Sequence, residues 1–368
     1  MNDLPVTPLV RSLPSSVPFV GPETLERRRG APFRARLGAN ENGFGPAPSV
    51  VAAIAGATGQ SWKYCDPENF ELKQALAAHL GISADNVVVG EGIDGLFGYT
   101  VRMFVEPGVS VATSQGAYPT FNFHVAGYGG RLVTVPYAND REDPKALADL
   151  ARREGARLVF LANPDNPMGS WWPAADVTRL IDNLPDGALL CLDEAYGEFA
   201  PDGTLPPLDV SDPRVIRFRT FSKAYGLAGL RVAYAIGEKE TIKSFDKVRN
   251  HFGVNRLAQV AALAALADQT YLSEVIAKVK AARERIAAIA RDNDLEPLPS
   301  ATNFVTIDCG HDGAFARRVL EELAKRDVFV RMPGVAPLDR CIRISAGPDS
   351  ELDYLARVLP GALKAARG

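Results

Sequence analysis

The sequence of 368 residues has few cysteines, and they are far apart. The four cysteines are Cys65, Cys191, Cys309 and Cys341, and two of them lie within apolar runs typical of strands. This spacing fits neither a disulfide framework nor a metal site. We therefore expect four reduced, buried thiols and no bound metal.

The sequence also lacks a long apolar segment and a strong excess of charge. No apolar run approaches the roughly 20 residues of a membrane-spanning helix, and the proline-rich first twenty residues lack the apolar core of a signal peptide. The formal net charge of -3 gives no reason to expect nucleic acid or an anionic membrane as a partner. We expect a cytoplasmic protein whose partners are small molecules, not nucleic acid or a membrane.

What is present is a repeated alternation of short apolar runs and helical patterns. Near-continuous apolar strands separated by helix-length segments predict an α/β fold with a mostly parallel sheet covered on both faces. The pattern predicts seven strands in a large domain, at residues 87–89, 109–113, 132–135, 158–161, 188–192, 215–219 and 232–236.

The pattern changes after about residue 250. Alanine-rich amphipathic helices at 257–267 and 271–291 precede a strand at 304–307 and a mixture of further short strands and helices. This pattern predicts a small α+β domain. Our expected division is an irregular N-terminal arm packing with the small domain (1–39), a large domain (40–250) and a small C-terminal domain (251–368).

Polar residues follow five of the predicted strands, where an open α/β sheet binds its ligands. A glycine-rich turn at 90–95 opens a helix whose free N–H groups suit a phosphate. The other four signals are Tyr118, the turn 163–167, Asp193 with Tyr196, and Lys223. In isolation Asp193 fits a helix cap and Tyr118 fits packing, but their joint occurrence favours one binding site.

The glycine-rich turn permits another interpretation. It fits G-x-G-x-x-G, which would indicate a nicotinamide-dependent oxidoreductase if an acidic residue ended the next strand. That strand ends in Thr113, Ser114 and Gln115 instead. The dinucleotide interpretation is therefore disfavoured.

Lys223 stands in the run Arg-Thr-Phe-Ser-Lys-Ala-Tyr-Gly-Leu-Ala-Gly-Leu-Arg, residues 219–231. Its amine can form a Schiff base with an aldehyde, while Thr220, Ser222 and Arg231 hold a phosphate beside it. This combination describes a site for pyridoxal 5'-phosphate (PLP).

The remaining signals each have a role in PLP chemistry. Asp193 would keep the pyridine nitrogen protonated, and Lys223 would move the proton at the substrate's Cα. Tyr196 and Asn166 would donate hydrogen bonds to the phenolic oxygen of the ring, and Tyr118 would stack on its face.

Together these residues resemble the class I/II aminotransferases of the fold-type I PLP enzymes, and within them the histidinol-phosphate aminotransferase branch. The resemblance covers about residues 37 to 347. Its marks, besides the motifs above, are Leu-Gly-Ala-Asn-Glu-Asn at 37–42, Tyr-Cys-Asp-Pro at 64–67, Asn303-Phe304 and Cys-Ile-Arg-Ile-Ser at 341–345.

The resemblance assigns further roles. It implies that the backbone N–H groups of Ile93 and Asp94 join the phosphate site, and that Tyr64 reaches the partner's phosphate in a homodimer with shared sites. It places Arg343, Arg331 and Asn42 among the substrate-binding residues. A guanidinium suits a carboxylate and a phosphate equally well.

Three positions depart from the branch and leave the substrate open. Gly95 replaces a usual acidic residue, Met168 a threonine and Phe19 a tyrosine. We predict transfer of an amino group between histidinol phosphate or an amino acid and an oxo acid such as 2-oxoglutarate. An aromatic amino acid aminotransferase is one alternative. A PLP-dependent decarboxylase of the same fold is the other, because the sequence does not show which bond at Cα breaks.

Overall fold

The computed structural model describes residues 4–15 and 19–368. The helices are α1 (Pro8–Ser12), α2 (Pro22–Arg29), α3 (Pro48–Ala57), α4 (Phe70–Leu80), α5 (Gly92–Phe104), α6 (Pro119–Gly127), α7 (Pro144–Glu154), α8 (Ala174–Asp182), α9 (Lys239–Ser244), α10 (Arg256–Ala267), α11 (Gln269–Arg291), α12 (Gly313–Lys325) and α13 (Asp349–Arg367). The strands are β1 (Ala35–Arg36), β2 (Val87–Gly90), β3 (Ser110–Ser114), β4 (Arg131–Val135), β5 (Leu158–Ala162), β6 (Leu189–Asp193), β7 (Val215–Thr220), β8 (Ala233–Ile236), β9 (Glu296–Pro297), β10 (Phe304–Asp308), β11 (Val328–Phe329) and β12 (Cys341–Ser345).

The seven strands β2 to β8 form one sheet in the order β2-β8-β7-β6-β5-β3-β4. β8 runs antiparallel to both of its neighbours, and the other pairings are parallel. Each strand lies within one residue of its predicted bounds. The predicted α/β fold with a mostly parallel seven-stranded sheet is therefore confirmed.

The central strands are apolar along their length because helices cover both faces of the sheet. Every residue of β5 and β6 is buried. On one face an aromatic cluster joins α5 and α6 to the sheet, with ring centroids 4.9 Å apart for Phe97 and Phe218 and 4.6 Å apart for Phe121 and Phe160. Such packing gives strands without polar alternation.

The strands of the C-terminal part form two smaller sheets, one of which also includes β1 from the N-terminal segment. β12, β10 and β9 form an antiparallel sheet, while β1 pairs in parallel with β11 through Ala35 and Val328. The division into an arm and two domains at 1–39, 40–250 and 251–368 stays a prediction.

The expectation of an irregular N-terminal arm is wrong, because residues within 1–39 form α1, α2 and β1. Residues 1–3 and 16–18 of this segment lie outside the described residues. α2 begins with Pro22 and ends at Arg29, and Gly30 follows it in the left-handed conformation. Proline at the start and glycine after the end are recognisable helix signals, so the sequence contained this information.

Over residues 4–15 and 19–368, no single helix is long and apolar enough to cross a membrane. Taken together, α10 and α11 have the length and composition of a membrane span, but an 82° bend separates the two helices. Several apolar residues of both helices are buried in the core. The four cysteines are free and buried, and the described part holds no cluster that suits a metal ion.

Candidate active site

Two adjoining cavities open at the carboxyl ends of the parallel strands, with volumes of about 240 and 530 Å³. They share Ala39, Tyr118, Asn166 and Lys223. We call the smaller one the inner cavity and the larger one the outer cavity. The inner cavity is also lined by Ile93, Asp94, Asp193, Tyr196, Thr220, Ser222 and Arg231, and the outer by Phe19, Asn40, Arg331, Arg343 and the loop 332–335.

The register of the sheet brings the inner cavity's residues together. Ala162 at the end of β5 lies opposite Asp193 at the end of β6, and Asp193 lies opposite Phe218 of β7. Lys223 follows β7 by three residues. Parallel strands end at the same edge, so residues distant in sequence converge there.

Lys223 is a buried amine between the two cavities. Its Nζ donates to the carbonyl oxygen of Asn40 at 3.2 Å and lies 5.6 Å from the ring centroid of Tyr196. Burial, and next the charge of Arg343, lower the pKa of Lys223 to about 8. About a tenth of this amine is therefore uncharged at pH 7, far more than for an exposed lysine, and the uncharged form is the nucleophile.

Asp193 is a buried carboxylate that lacks a cationic partner. Oδ1 accepts from the backbone N–H of Ala195 at 2.9 Å, and burial raises the pKa of Asp193 to about 7. Within the described ranges, no arginine or lysine makes an ion pair with this carboxylate. A protonated ring nitrogen in the inner cavity would supply the missing positive charge.

The start of α5 forms an anion cradle with the loop after β7. Gly92 has φ +81°, and a Cβ there would overlap the guanidinium of Arg231. Arg231 Nη1 donates to Ser222 Oγ at 3.4 Å, and Nη2 lies 3.4 Å from Asp94 Oδ2. Because the first N–H groups of a helix lack intrahelical partners, the cradle suits a phosphate dianion.

Two tyrosines border the inner cavity. Tyr118 donates from its hydroxyl to Asp94 Oδ1 at 3.0 Å, and its ring stacks on Phe19 with centroids 5.9 Å apart. The Tyr196 hydroxyl accepts from Asn40 Nδ2 at 3.0 Å and Asn166 Nδ2 at 3.4 Å. Burial raises the pKa of Tyr196, so this hydroxyl stays protonated and can act as a donor.

Two arginines without carboxylate partners in the described part of the chain line the outer cavity. Arg343 Nη1 donates to Asn166 Oδ1 at 2.5 Å, and Arg331 Nη2 donates to the carbonyl oxygen of Val20 at 2.7 Å. The Nε atoms of both arginines are buried and have no protein acceptor. Burial lowers the pKa of Arg343 to about 10. Two such guanidinium groups suit an anionic ligand.

The structure does not bring every predicted residue into the cavities. Asn42 donates from Nδ2 to the carbonyl oxygen of Ala224 at 3.1 Å and lines neither cavity. Tyr64 is 79% exposed and packs against Phe252, with ring centroids 4.9 Å apart. It lies outside both cavities of its own chain.

Sequence reasoning missed other lining groups, including Asn40, Asn122 and the loop 332–335. Asn40 belongs to the motif 37–42, yet the motif gave it no role. Its position depends on a left-handed backbone, with φ 54°, and on partners distant in sequence. No periodic pattern carries either signal.

A protein-family model described as aminotransferase class I and II matches residues 35–359. Histidinol-phosphate aminotransferase 1 of Mesorhizobium japonicum is 35% identical over 366 residues, covering 97% of this chain and 98% of the relative. Histidinol-phosphate aminotransferase of Roseiflexus castenholzii is 36% identical, covering 96% of each chain.

Solved structures are similar over the same extent. The histidinol-phosphate aminotransferase of Sinorhizobium meliloti, in complex with pyridoxal-5'-phosphate, has a TM-score of 0.96 and 58% identity over 98% of both chains. Aspartate aminotransferase from Thermus thermophilus with maleate has a TM-score of 0.78 at 21% identity, covering 96% of this chain and 99% of the other, which is a likeness of fold alone.

Proposed function

The chain belongs to the class I and II aminotransferase family, and on that premise we propose that it moves an amino group between histidinol phosphate and an oxo acid such as 2-oxoglutarate. Pyridoxal 5'-phosphate is its cofactor, and its fold is that of the fold-type I PLP enzymes. The observation that carries the proposal is the outer cavity, where two arginines that have no carboxylate partner among residues 4–15 and 19–368 face a site that meets the cofactor cavity at Lys223.

The residues of the inner cavity have separate tasks. The cofactor supplies an electron sink for the charge that develops at the substrate's Cα. With the cofactor bound, Asp193 would hold a proton on the ring nitrogen, and the Tyr196 hydroxyl would donate to the phenolic oxygen. Lys223 takes the proton from Cα, which its lowered pKa permits. Ile93, Asp94, Thr220, Ser222 and Arg231 bind the phosphate.

The outer cavity selects the substrate. Arg343 and Arg331 bind the phosphate of histidinol phosphate in one half of the cycle and a carboxylate of the oxo acid in the other. The stacked rings of Phe19 and Tyr118 form an aromatic wall that fits a planar ring of the donor. The same wall favours an aromatic amino acid as the second candidate donor. Asn42 has no contact that supports a substrate role.

The complete enzyme is a homodimer in this proposal. Tyr64, Trp62, Phe70 and Phe252 are more than half exposed, which is unusual for large aromatic residues. A second copy of the chain would cover them and would place Tyr64 at the partner's phosphate site. We expect the enzyme in the cytoplasm, without nucleic acid or membrane partners.

Single-turnover spectroscopy tests the proposed reaction. The PLP-loaded enzyme is mixed with histidinol phosphate, phenylalanine, aspartate or glutamate, and conversion of the cofactor to its amine form is followed by absorbance. We expect the highest second-order rate constant of cofactor conversion for histidinol phosphate. A highest value for phenylalanine would assign the second candidate, and release of carbon dioxide would indicate the decarboxylase.

Borohydride reduction and a variant of Lys223 test whether this lysine is the residue that reacts with the cofactor. Reduction should fix the cofactor on a peptide that contains Lys223. Lys223→Ala should abolish conversion while the variant still binds the cofactor through its phosphate contacts. Near-native conversion by Lys223→Ala would overturn the assigned chemistry.

A further inference from the structure

We propose that Asn40 is a positioning residue that forces the Tyr196 hydroxyl to donate its proton into the inner cavity. The inference rests on the proposed function, since the acceptor there is the phenolic oxygen of the cofactor. Asn40 is not among the catalytic, cofactor-binding or substrate-binding residues predicted from the sequence. Its hydrogen bonds connect it to Ser345, Tyr196 and Lys223.

Ser345 fixes which end of the Asn40 amide faces Tyr196. The backbone N–H of Asn40 donates to Ser345 Oγ at 2.9 Å, and Ser345 Oγ donates its only proton to Asn40 Oδ1 at 3.1 Å. Both residues are at most 3% exposed, so water does not replace these bonds. The Nδ2 group must then point away from Ser345, toward Tyr196.

The number of donors around the Tyr196 hydroxyl then determines where its own proton can be donated. A phenolic hydroxyl has one proton and two acceptor sites. Asn40 Nδ2 fills one site at 3.0 Å, and Asn166 Nδ2 approaches the other at 3.4 Å. Among the described residues no group accepts the Tyr196 proton, and Tyr196 lines the inner cavity. The proton is therefore free for an acceptor on the cofactor.

The backbone of Asn40 reaches the second reactive group. Its carbonyl oxygen accepts from Lys223 Nζ at 3.2 Å and from Asn303 Nδ2 at 3.0 Å. Ser345 lies two residues after Arg343 on β12. Asn40 thus connects the strand that carries the substrate-binding arginine to both Tyr196 and Lys223.

The backbone conformation determines which variants are informative. Asn40 has φ 54°, a left-handed conformation that glycine, asparagine and aspartate tolerate better than alanine does. Asn40→Gly removes the amide without adding backbone strain. Asn40→Asp keeps the size but replaces the Nδ2 donor with a carboxylate oxygen, which would attract the Tyr196 proton.

The measurement is a pH titration of the bound cofactor's absorption band. A donor to the phenolic oxygen stabilises its anionic form and lowers the apparent pKa of the band. Asn40→Gly and Asn40→Asp should each raise this pKa, by about half a unit or more, and lower kcat several-fold near neutral pH. The charged groups near Tyr196 are Arg343, Asp193, Asp165 and Lys223, and none of them is altered in these variants. Asn40→Asp adds a carboxylate of its own, so Asn40→Gly is the cleaner variant.

A double-mutant cycle distinguishes action through Tyr196 from a general defect. In a Tyr196→Phe background, Asn40→Gly should cause no further shift of the band. The matched control is Asn69→Gly, since Asn69 is also buried, has φ 52° and accepts a hydrogen bond from Gln259 at 2.7 Å away from both cavities. This control should titrate like the native enzyme.

Two results would overturn the inference. One is a native titration in both Asn40 variants, and the other is an equal shift with and without the Tyr196 hydroxyl. If Asn40→Gly does not fold, Asn40→Asp is compared in both backgrounds. The shift it causes in the Tyr196→Phe background measures its added charge, so the inference then requires a larger shift when the Tyr196 hydroxyl is present. Failure of the native enzyme to bind PLP would contradict the proposed function itself, and that outcome is visible before any variant is compared.

Discussion

At the scale of single residues, the site depends on charges held away from water. Asp193 is 7% exposed, and its pKa rises to about 7 through burial. A carboxylate in that environment needs a cationic partner to remain ionised. Burial favours the neutral form of both Asp193 and Lys223, and in the proposed enzyme the bound cofactor would decide which form each of them retains.

The charge of Asp193 can be removed with little change in shape. Asp193→Asn keeps an oxygen for the N–H of Ala195 but cannot hold a proton on the ring nitrogen. We expect a loss of about 100-fold or more in kcat, the scale of a preorganised electrostatic group. Cofactor uptake, measured by absorbance, checks that the ring still binds. An unchanged kcat would assign Asp193 to capping the turn after β6.

Asp165 carries a second buried carboxyl, adjacent to Asn166. Its oxygens accept from the Tyr137 hydroxyl at 2.9 Å and from the Met168 N–H at 3.0 Å, and burial raises the pKa of Asp165 to about 7. The unfolded chain releases this proton near pH 4. Between about pH 4 and 7 the folded state binds more protons, so its stability falls as pH rises through that window.

Asp165→Asn should remove the Asp165 contribution to this pH dependence, together with its effect on the neighbouring buried carboxyl of Glu142, whose pKa the charge of Asp165 helps to raise. From pH 5 to pH 8 the cofactor-free native protein should lose on the order of 2 kcal/mol of unfolding free energy relative to the variant. Urea unfolding at the two pH values measures the difference. Tyr137→Phe retains the Asp165 carboxyl and should therefore retain the pH dependence. If the native and Asp165→Asn proteins differed by the same unfolding free energy at both pH values, the raised pKa of Asp165 would be contradicted.

At the scale of elements, the start of α5 and the loop after β7 form a cradle whose shape depends on one glycine. Gly92 has φ +81°, and its missing Cβ leaves room for the Arg231 guanidinium. A helix start alone offers free N–H groups, but the arginine requires this close approach. Two elements distant in sequence thus produce one anion site.

Gly92→Ala should weaken cofactor binding by about tenfold or more, because the added methyl displaces Arg231 as well as straining the backbone. Fluorescence titration of the cofactor-free protein with PLP gives the Kd. Gly187→Ala is the matched control, since Gly187 has φ +77° but no atom within 4 Å of an added Cβ. Equal losses in the two variants would indicate general strain instead of a damaged cradle.

At the scale of the whole molecule, Tyr64 and Lys223 serve one site only if two chains combine. Tyr64 is 79% exposed and lies outside its own chain's cavities, whereas Lys223 is buried between them. The homodimer proposal explains both positions. It also explains the exposed aromatic rings near Tyr64, which a monomer would leave in water.

Mixing two variants tests this arrangement. In a heterodimer of Tyr64→Ala and Lys223→Ala subunits, one site contains both native residues and the other contains neither. Such heterodimers should have about half the kcat per dimer of the native enzyme, by the two-fold symmetry of the assembly. Each variant alone should be severely impaired. Heterodimers that form without recovering activity would contradict the cross-subunit placement of Tyr64.

The sequence by itself determined the seven-stranded sheet. Strands buried on both faces must be apolar throughout, so β5 and β6 are visible as continuous apolar runs. It also indicated Lys223, Asp193 and Tyr196, because each lies at a strand end or within three residues of one, and the ends of parallel strands share one edge. These predictions needed only local patterns and one topological rule.

Only the tertiary structure decided the environment of those groups. Asn40 meets Tyr196, Lys223 and Ser345 across separations of 156, 183 and 305 residues. The lowered pKa of Lys223 and the raised pKa of Asp193 come mainly from burial. Contacts between distant segments and the exclusion of water are properties of the packed chain, so no local pattern encodes them.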